Sequence, residues 1–173
     1  MIPRGYFDMT NEQLKEQLSA TFPELSEWDE SYGLLTFRTP AAKILELLQF
    51  LYNDPALQFR FLTDLTGIHY PDRAGEELCV AYHLHNLVDN VRIRVKVYVP
   101  VAAPDVYSAT PLFSGANWME RETYDFFGIN FIGHPNLTRI LNVDEMDYFP
   151  MRKEYPMEDP TRIDKDDEMF GRG

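Results

Sequence analysis

The alternation of apolar and charged residues between Val91 and Val99 constrains the fold more than any other feature of the chain. One set of alternate positions is apolar and the other is basic: Val91, Ile93, Val95, Val97 and Val99 against Arg92, Arg94 and Lys96. Successive side chains of a β-strand point to opposite faces, so this period of two predicts a strand with one face on a core. The segment therefore favours an antiparallel sheet that is covered on one side only.

Two further β-rich runs precede this strand, at residues 58–69 and 78–87. Turn-forming segments separate the three runs, at residues 71–75 and 88–90, so we expect a three-stranded meander. A shorter alternating piece at residues 25–38 surrounds Tyr32 and Gly33 and predicts a hairpin.

Three segments have helical spacing. Thr10 offers an N-cap hydroxyl with Gln13 three residues on, and Pro40 opens a stretch with an apolar stripe ending at Leu51. A third helix is predicted at residues 117–127, closed by Gly128. The predicted fold is α+β: a mainly antiparallel sheet with helices packed on one face, a C-terminal helix and an extended C-terminal arm.

The last forty residues differ from the rest. We assign residues 1–133 to one α+β domain and residues 134–173 to an extended partner-binding arm, because the second part has no clear periodicity and contains four prolines. It nevertheless keeps apolar side chains: Ile140, Leu141, Phe149, Tyr155 and Phe170. Burial against a partner would offset the entropy lost when such a segment becomes ordered.

Charge and cysteine content exclude several classes of function. The chain has 28 acidic and 16 basic residues and a net charge of -12, which disfavours binding to nucleic acid or to an anionic membrane surface. No stretch reaches the ~18 apolar residues of a membrane span, so no direct membrane insertion is expected. Cys79 is the one cysteine, and a single thiol cannot hold an iron–sulfur cluster.

Two groups of polar residues on the predicted strands have two interpretations each. His83 and His85 share one strand face and form a hypothetical metal site with Asp64 and His69, or they are ordinary polar residues. The basic stripe of Arg92, Arg94 and Lys96 is either a docking face for an acidic partner or, by a slight preference, a solvated strand face. No phosphate-binding loop or nucleophile motif accompanies them.

The helix at residues 117–127 opens the most informative stretch. It continues as ERETYDFFGINFIGHPNLTRIL at residues 120–141 and is followed by PMRKEYP at residues 150–156. These two segments resemble the signature of the C-subunit family of NADH-quinone oxidoreductase, respiratory complex I. Two positions depart from that pattern: Thr138 stands where the family often has a second basic residue, and Tyr148 where it often has a glycine.

The resemblance implies a cofactor-free scaffold protein of the peripheral arm, with FMN and iron–sulfur clusters in partner subunits. It also implies contact with the D-subunit, which forms the quinone site, and with neighbouring iron–sulfur subunits, on the cytoplasmic side of the cell inner membrane. The alternatives are a homologous subunit of a membrane-bound hydrogenase-type complex, an acidic adaptor and a small metal-dependent enzyme.

On this basis we expect the signature residues to form the interface, with no catalytic or cofactor-binding residue among them. They are Glu120, Arg121, Glu122, Asp125, His134, Pro135, Arg139, Arg152, Lys153 and Pro156. We further expect Glu120, Arg121, Glu122 and Asp125 to form one charge-assisted network with Arg121 as its hub.

Overall fold

The computed structural model describes residues 9–155, which form three α-helices, a five-stranded sheet and a smaller two-stranded sheet. The helices are α1 (Asn11–Thr21), α2 (Ile44–Asn53, entered through a 3-10 turn at Ala41–Lys43) and α3 (Ala116–Phe127). The strands are β1 (Ser26–Ser31), β2 (Leu34–Arg38), β3 (Phe61–His69), β4 (Leu78–Asn86), β5 (Val91–Val99), β6 (Asp105–Tyr107) and β7 (Asn130–Ile132). The α+β prediction is confirmed.

Local sequence signals account for the start of the first helix. The Thr10 hydroxyl accepts a hydrogen bond from the Gln13 N–H at 3.3 Å, and the Gln13 side chain accepts one from the Thr10 N–H at 3.1 Å. This reciprocal capping box satisfies two backbone donors that the helix itself leaves unpaired.

The main sheet has the strand order β1-β2-β5-β4-β3. The predicted hairpin and the β3-β4-β5 meander are confirmed, and both are antiparallel. One pairing is parallel: β2 lies beside β5, with Leu35 opposite Ile93. A parallel neighbour requires a long crossover, which here passes through α2 and the first two strands of the meander.

The core lies between one face of this sheet and the helices. Phe37, Val95 and Tyr82 point inward from the central strands and are fully buried, as are Leu18 of α1 and Leu48 of α2. The apolar residues of β5 are on this inner face, as their alternation predicts, and Arg92 is exposed on the outer face. Within residues 9–155 no helix is long and apolar enough to cross a membrane.

The sequence does not predict the second sheet, which has two strands. The three-residue strands β6 and β7 pair in parallel, and α3 is the crossover between them. Strands this short have no readable alternation, and Pro104 before β6 indicates a loop. In this small sheet the segments before and after α3 are paired with each other.

Gly67 on β3 allows α3 to approach the main sheet. A Cβ at this position would lie 2.4 Å from Cδ2 of Phe127, so the phenylalanine ring occupies the space that any other side chain would take. The last turn of α3 is therefore held directly against the backbone of β3.

Candidate partner-docking site

Residues 134–155 fold back along α3 instead of extending away from it. Gly128 ends the helix in a left-handed conformation, φ +73°, and the chain passes through β7 before it returns. On the return, the Met151 N–H donates to the Phe126 carbonyl at 3.1 Å and Arg152 Nε donates to the Phe127 carbonyl at 2.8 Å. We call residues 134–155 the return segment.

A buried ion pair joins the return segment to the helix. Arg139 Nη1 lies 2.6 Å from Asp125 Oδ1, and the same nitrogen donates to the Asp125 carbonyl at 2.9 Å. The second terminal nitrogen of Arg139 donates to the Met146 and Tyr148 carbonyls. One guanidinium thus closes the loop from residue 139 to residue 148 and fastens it to α3.

The other oxygen of Asp125 sits in a cradle of backbone donors. The N–H groups of Ile140, Leu141 and Asn142 all donate to Oδ2, at 3.1, 2.8 and 2.9 Å. Burial alone would raise the pKa of Asp125, but these bonds and Arg139 lower it well below its ordinary value. Asp125 is therefore a buried carboxylate whose charge is stabilised entirely by protein donors, and it fixes the path of the return segment.

Aromatic packing supplies a second attachment. Phe149 lies over the place where a side chain at Gly128 would be, since a Cβ there would meet its ring at 2.4 Å. The guanidinium carbons of Arg139 and Arg152 lie 5.2 and 4.7 Å from the centre of the same ring. Beyond it the Lys153 N–H donates to His69 Nδ1 at 2.9 Å, which ties the segment to the end of β3.

The predicted four-residue network centred on Arg121 is wrong. Arg121 donates to the Thr138 and Arg139 carbonyls and stacks over Trp118, and it makes no ion pair with another residue between 9 and 155. Glu122 is exposed. Helical spacing alone suggested the cluster, but tertiary contacts with the return segment decide where each charge goes.

Glu120 occupies a separate buried site at the other side of α3. Its carboxylate accepts from the Ser108 hydroxyl at 2.7 Å and the Ala109 N–H at 2.6 Å, and the residue is fully buried. Burial raises the pKa of Glu120 to about 7, and the two hydrogen bonds offset only part of that effect. Neither Ser108 nor Ala109 carries a sequence signal that indicates this role.

Of the remaining signature residues, His134 has an internal role. Its Nε2 donates to the Asn117 carbonyl at 3.0 Å and its Nδ1 accepts from the Asn136 N–H. Pro135 and Lys153 are exposed, whereas Arg152 is half-buried. Pro156 lies outside the described residues.

Exposed apolar side chains are concentrated around this assembly. Eleven large apolar residues are exposed among residues 9–155, and seven of them belong to β6, α3, β7 or the return segment: Tyr107, Trp118, Ile132, Leu141, Val143, Met151 and Tyr155. An isolated domain would gain little from presenting them. Apolar side chains that are exposed together as a patch mark surfaces that bind another protein, so we take this group as the candidate docking surface.

The hypothetical metal site does not form. Asp64 and His83 are paired across β3 and β4, but His69 lies five residues farther along β3, roughly 16 Å away at ~3.3 Å per residue. His85 bonds to Asn90 and His69 to Lys153. The part of the chain that the structure describes contains no group of three or more metal-ligating side chains.

Comparison with known proteins gives a consistent result. A protein-family model described as "Respiratory-chain NADH dehydrogenase, 30 Kd subunit" matches residues 37–161. The NADH-quinone oxidoreductase C-subunit of Nocardioides sp. is 46% identical over 125 residues, 72% of this chain and 50% of that protein. The corresponding C-subunit of Caulobacter vibrioides is 42% identical over 91% of this chain and 79% of its own length.

Two solved structures are similar as well. A trypsin-resistant fragment of Nqo5 has a TM-score of 0.63 at 35% identity, covering 73% of this chain and 98% of the fragment. A chain of the archaeal membrane-bound sulfane sulfur reductase has a TM-score of 0.71 at 26% identity, covering 84% of this chain and 85% of that one. The matched region spans 50% and 61% of the Nocardioides and Methylorubrum populi relatives.

Proposed function

The chain belongs to the family of the 30 kDa subunit of respiratory-chain NADH dehydrogenase, and on that premise we propose that it is the C-subunit of an NADH-quinone oxidoreductase. In this proposal it is a scaffold in the peripheral arm. The assembled complex transfers electrons from NADH through FMN and iron–sulfur centres to quinone and couples this to proton translocation. The isolated chain has no such activity.

The attachment of the return segment to α3 is the structural observation that supports a scaffold role most directly. The Asp125–Arg139 pair and the Phe149 contact hold Leu141, Val143 and Met151 in fixed positions with their side chains exposed. A preorganised apolar surface loses little entropy on binding, so it suits a permanent contact between subunits. We assign this surface to the D-subunit of the quinone site and to neighbouring iron–sulfur subunits.

In this proposal the FMN and the iron–sulfur clusters are bound by partner subunits. The whole sequence has one cysteine, Cys79, which is buried and whose thiol pKa is raised to about 11 by burial. Iron–sulfur clusters need several thiolate ligands, so this chain cannot supply them alone. The chain then reaches the cytoplasmic side of the inner membrane through partner subunits.

An affinity purification of the tagged chain from its native membranes tests the proposal. We expect recovery of a multi-subunit complex that contains flavin and iron–sulfur subunits and reduces quinone with NADH. Recovery of the chain without those subunits would contradict it.

The second candidate is a subunit of a related membrane-bound complex that does not use NADH. The similarity to the sulfane sulfur reductase chain, with its TM-score of 0.71, favours it. The same purification separates the two: an NADH-binding flavoprotein among the recovered subunits indicates the first, and a complete complex without one indicates the second.

A further inference from the structure

The outer face of the main sheet carries a groove at the end where the β1–β2 and β4–β5 turns meet. Its larger part, about 690 Å³, is lined by Tyr32, Gly33, Leu34, Asn90, Arg92 and Arg94. A smaller part of about 250 Å³ shares Leu34 and Arg92 and continues to His83 and Asp64. We call the two parts together the outer groove. It lies on the face opposite the helices, away from the return segment.

A chain of contacts across three strands orients Arg94 in this groove. Arg94 Nε donates to His83 Nε2 at 2.7 Å, and His83 Nδ1 lies 3.4 Å from Asp64 Oδ2. Burial and the neighbouring Arg94 lower the pKa of His83, which keeps the ring neutral and able to accept that bond. Only Nε of Arg94 is used, so its two terminal nitrogens make no hydrogen bond with residues 9–155.

The arginines of the groove differ from the other arginines on the same face. Arg38 and Arg73 both pair with Glu27 and Glu76. Arg92 is exposed and forms no ion pair within the described range, although the chain has 28 acidic residues with which one could be made. A solvated strand face does not require a hydrogen bond that orients Arg94, nor a neighbouring Arg92 without a carboxylate partner. The two arginines together therefore indicate a binding role.

We propose that the outer groove docks an extended acidic segment of a partner protein, two of whose carboxylates pair with Arg92 and Arg94. Alternate residues on a strand are roughly 6.6 Å apart, so two arginines at this spacing match acidic residues separated by one position on an extended segment. Exposed Tyr32 at the rim offers an aromatic surface to the residues beside them. A membrane or nucleic acid fits poorly, because a net charge of -12 repels an extended polyanion.

A photo-crosslinker placed at Tyr32 tests the proposal in the full-length chain, in its native cells. We expect p-benzoylphenylalanine at position 32 to capture a protein segment with two acidic residues one position apart. The double variant Arg92→Glu with Arg94→Glu should reduce the yield at least ten-fold. The matched double variant Lys15→Glu with Lys43→Glu changes the net charge equally, outside the groove, and should leave the yield unchanged.

The proposal would be overturned if the crosslinker captured lipid, captured a segment without that acidic pattern, or captured nothing. It would also be overturned if the arginine substitutions left the yield unchanged. A binding titration gives an independent readout, with the peptide acetyl-Glu-Ser-Glu-Ser-amide compared with its glutamine counterpart. We expect the acidic peptide to bind at least ten-fold more tightly, and the arginine variant to lose that difference while its circular dichroism spectrum shows that it remains folded. Equal binding of the two peptides to the wild-type chain would contradict the proposal. Neither result depends on recovery of flavin and iron–sulfur subunits, so this proposal and the scaffold proposal fail separately.

Discussion

Asp125 Oδ1 lies 2.6 Å from Arg139 Nη1, and both side chains are nearly inaccessible to solvent, at 0% and 8% exposure. The two residues are fourteen positions apart, on a helix and on an irregular segment. This pair attaches the return segment, which is the last described part of the chain, to α3 of the folded domain. Stability depends on this contact, and in the proposed function the exposed apolar surface of the return segment depends on it as well.

Asp125→Asn should destabilise the protein strongly. The substitution leaves Arg139 as a buried cation without a counter-charge, which costs about 3–5 kcal/mol when one partner of a buried pair is removed. Urea unfolding followed by circular dichroism measures the free energy of unfolding. Asp144→Asn, at an exposed position of the same segment, is the control and should change it by less than about 0.5 kcal/mol. A loss below about 1 kcal/mol in Asp125→Asn would show that the pair is not a main anchor of the segment.

The sequence predicts the main sheet and α3 better than it predicts the site. The alternation in β5 and the capping box of α1 are local patterns whose physical cause lies within a few residues. Asp125 and Arg139 meet because the chain folds back along α3, and no residue spacing in the sequence predicts that path. Residues 140–142 bind Asp125 through backbone N–H groups, which every residue except proline has, so their side chains give no signal. For the same reason Arg121, well placed by helical spacing, was a wrong choice for the hub.

Gly128→Ala should destabilise the protein by more than backbone strain alone. Gly33 is a matched control, because its φ of +74° is almost the same as the +73° of Gly128, yet a Cβ there meets nothing within 4 Å. Gly33→Ala should cost about 1–2 kcal/mol, the penalty of the left-handed conformation. Gly128→Ala adds a collision with Phe149, so thermal unfolding should show a clearly larger loss, and trypsin should cut sooner after Arg152. Equal losses in the two variants would mean that Phe149 moves aside easily.

Arg121→Ala should weaken assembly while leaving the redox reaction of assembled complexes unchanged. Arg121 holds the Thr138 and Arg139 carbonyls on the side of α3 where Trp118 is exposed, so its loss loosens the proposed docking surface. The yield of intact complex on a native gel and the quinone reduction rate per complex separate the two effects. Arg60→Ala is the control, because that exposed arginine also donates to a carbonyl and stacks on an aromatic ring, but away from α3. Normal yield with impaired quinone reduction would contradict a structural role for Arg121.

Glu120→Gln should remove a pH dependence of stability that we expect in the wild-type protein between about pH 4.5 and 7. Burial raises the pKa of Glu120 from 4.5 to about 7 in the folded state, so in this interval the folded chain holds a proton that the unfolded chain has released. Stability contributed by the protonated group is complete below pH 4.5, falls as pH rises and is lost above about pH 7, in total about 3 kcal/mol. Glutamine keeps both contacts, since its oxygen accepts from the Ala109 N–H and its amide donates to the Ser108 hydroxyl, but it does not titrate.

The variant should therefore be less pH-dependent than the wild type and more stable than it at pH 8. The difference between the two free energies of unfolding, measured at several pH values, isolates Glu120 from other groups that titrate in the same range. Glu122→Gln, at an exposed position on the same helix, should give a pH profile parallel to that of the wild type. Parallel profiles for the wild type and Glu120→Gln from pH 4.5 to pH 8 would instead mean that Glu120 stays ionised in the folded protein. In that case the Ser108 and Ala109 donors would suffice to stabilise a buried carboxylate without a cation.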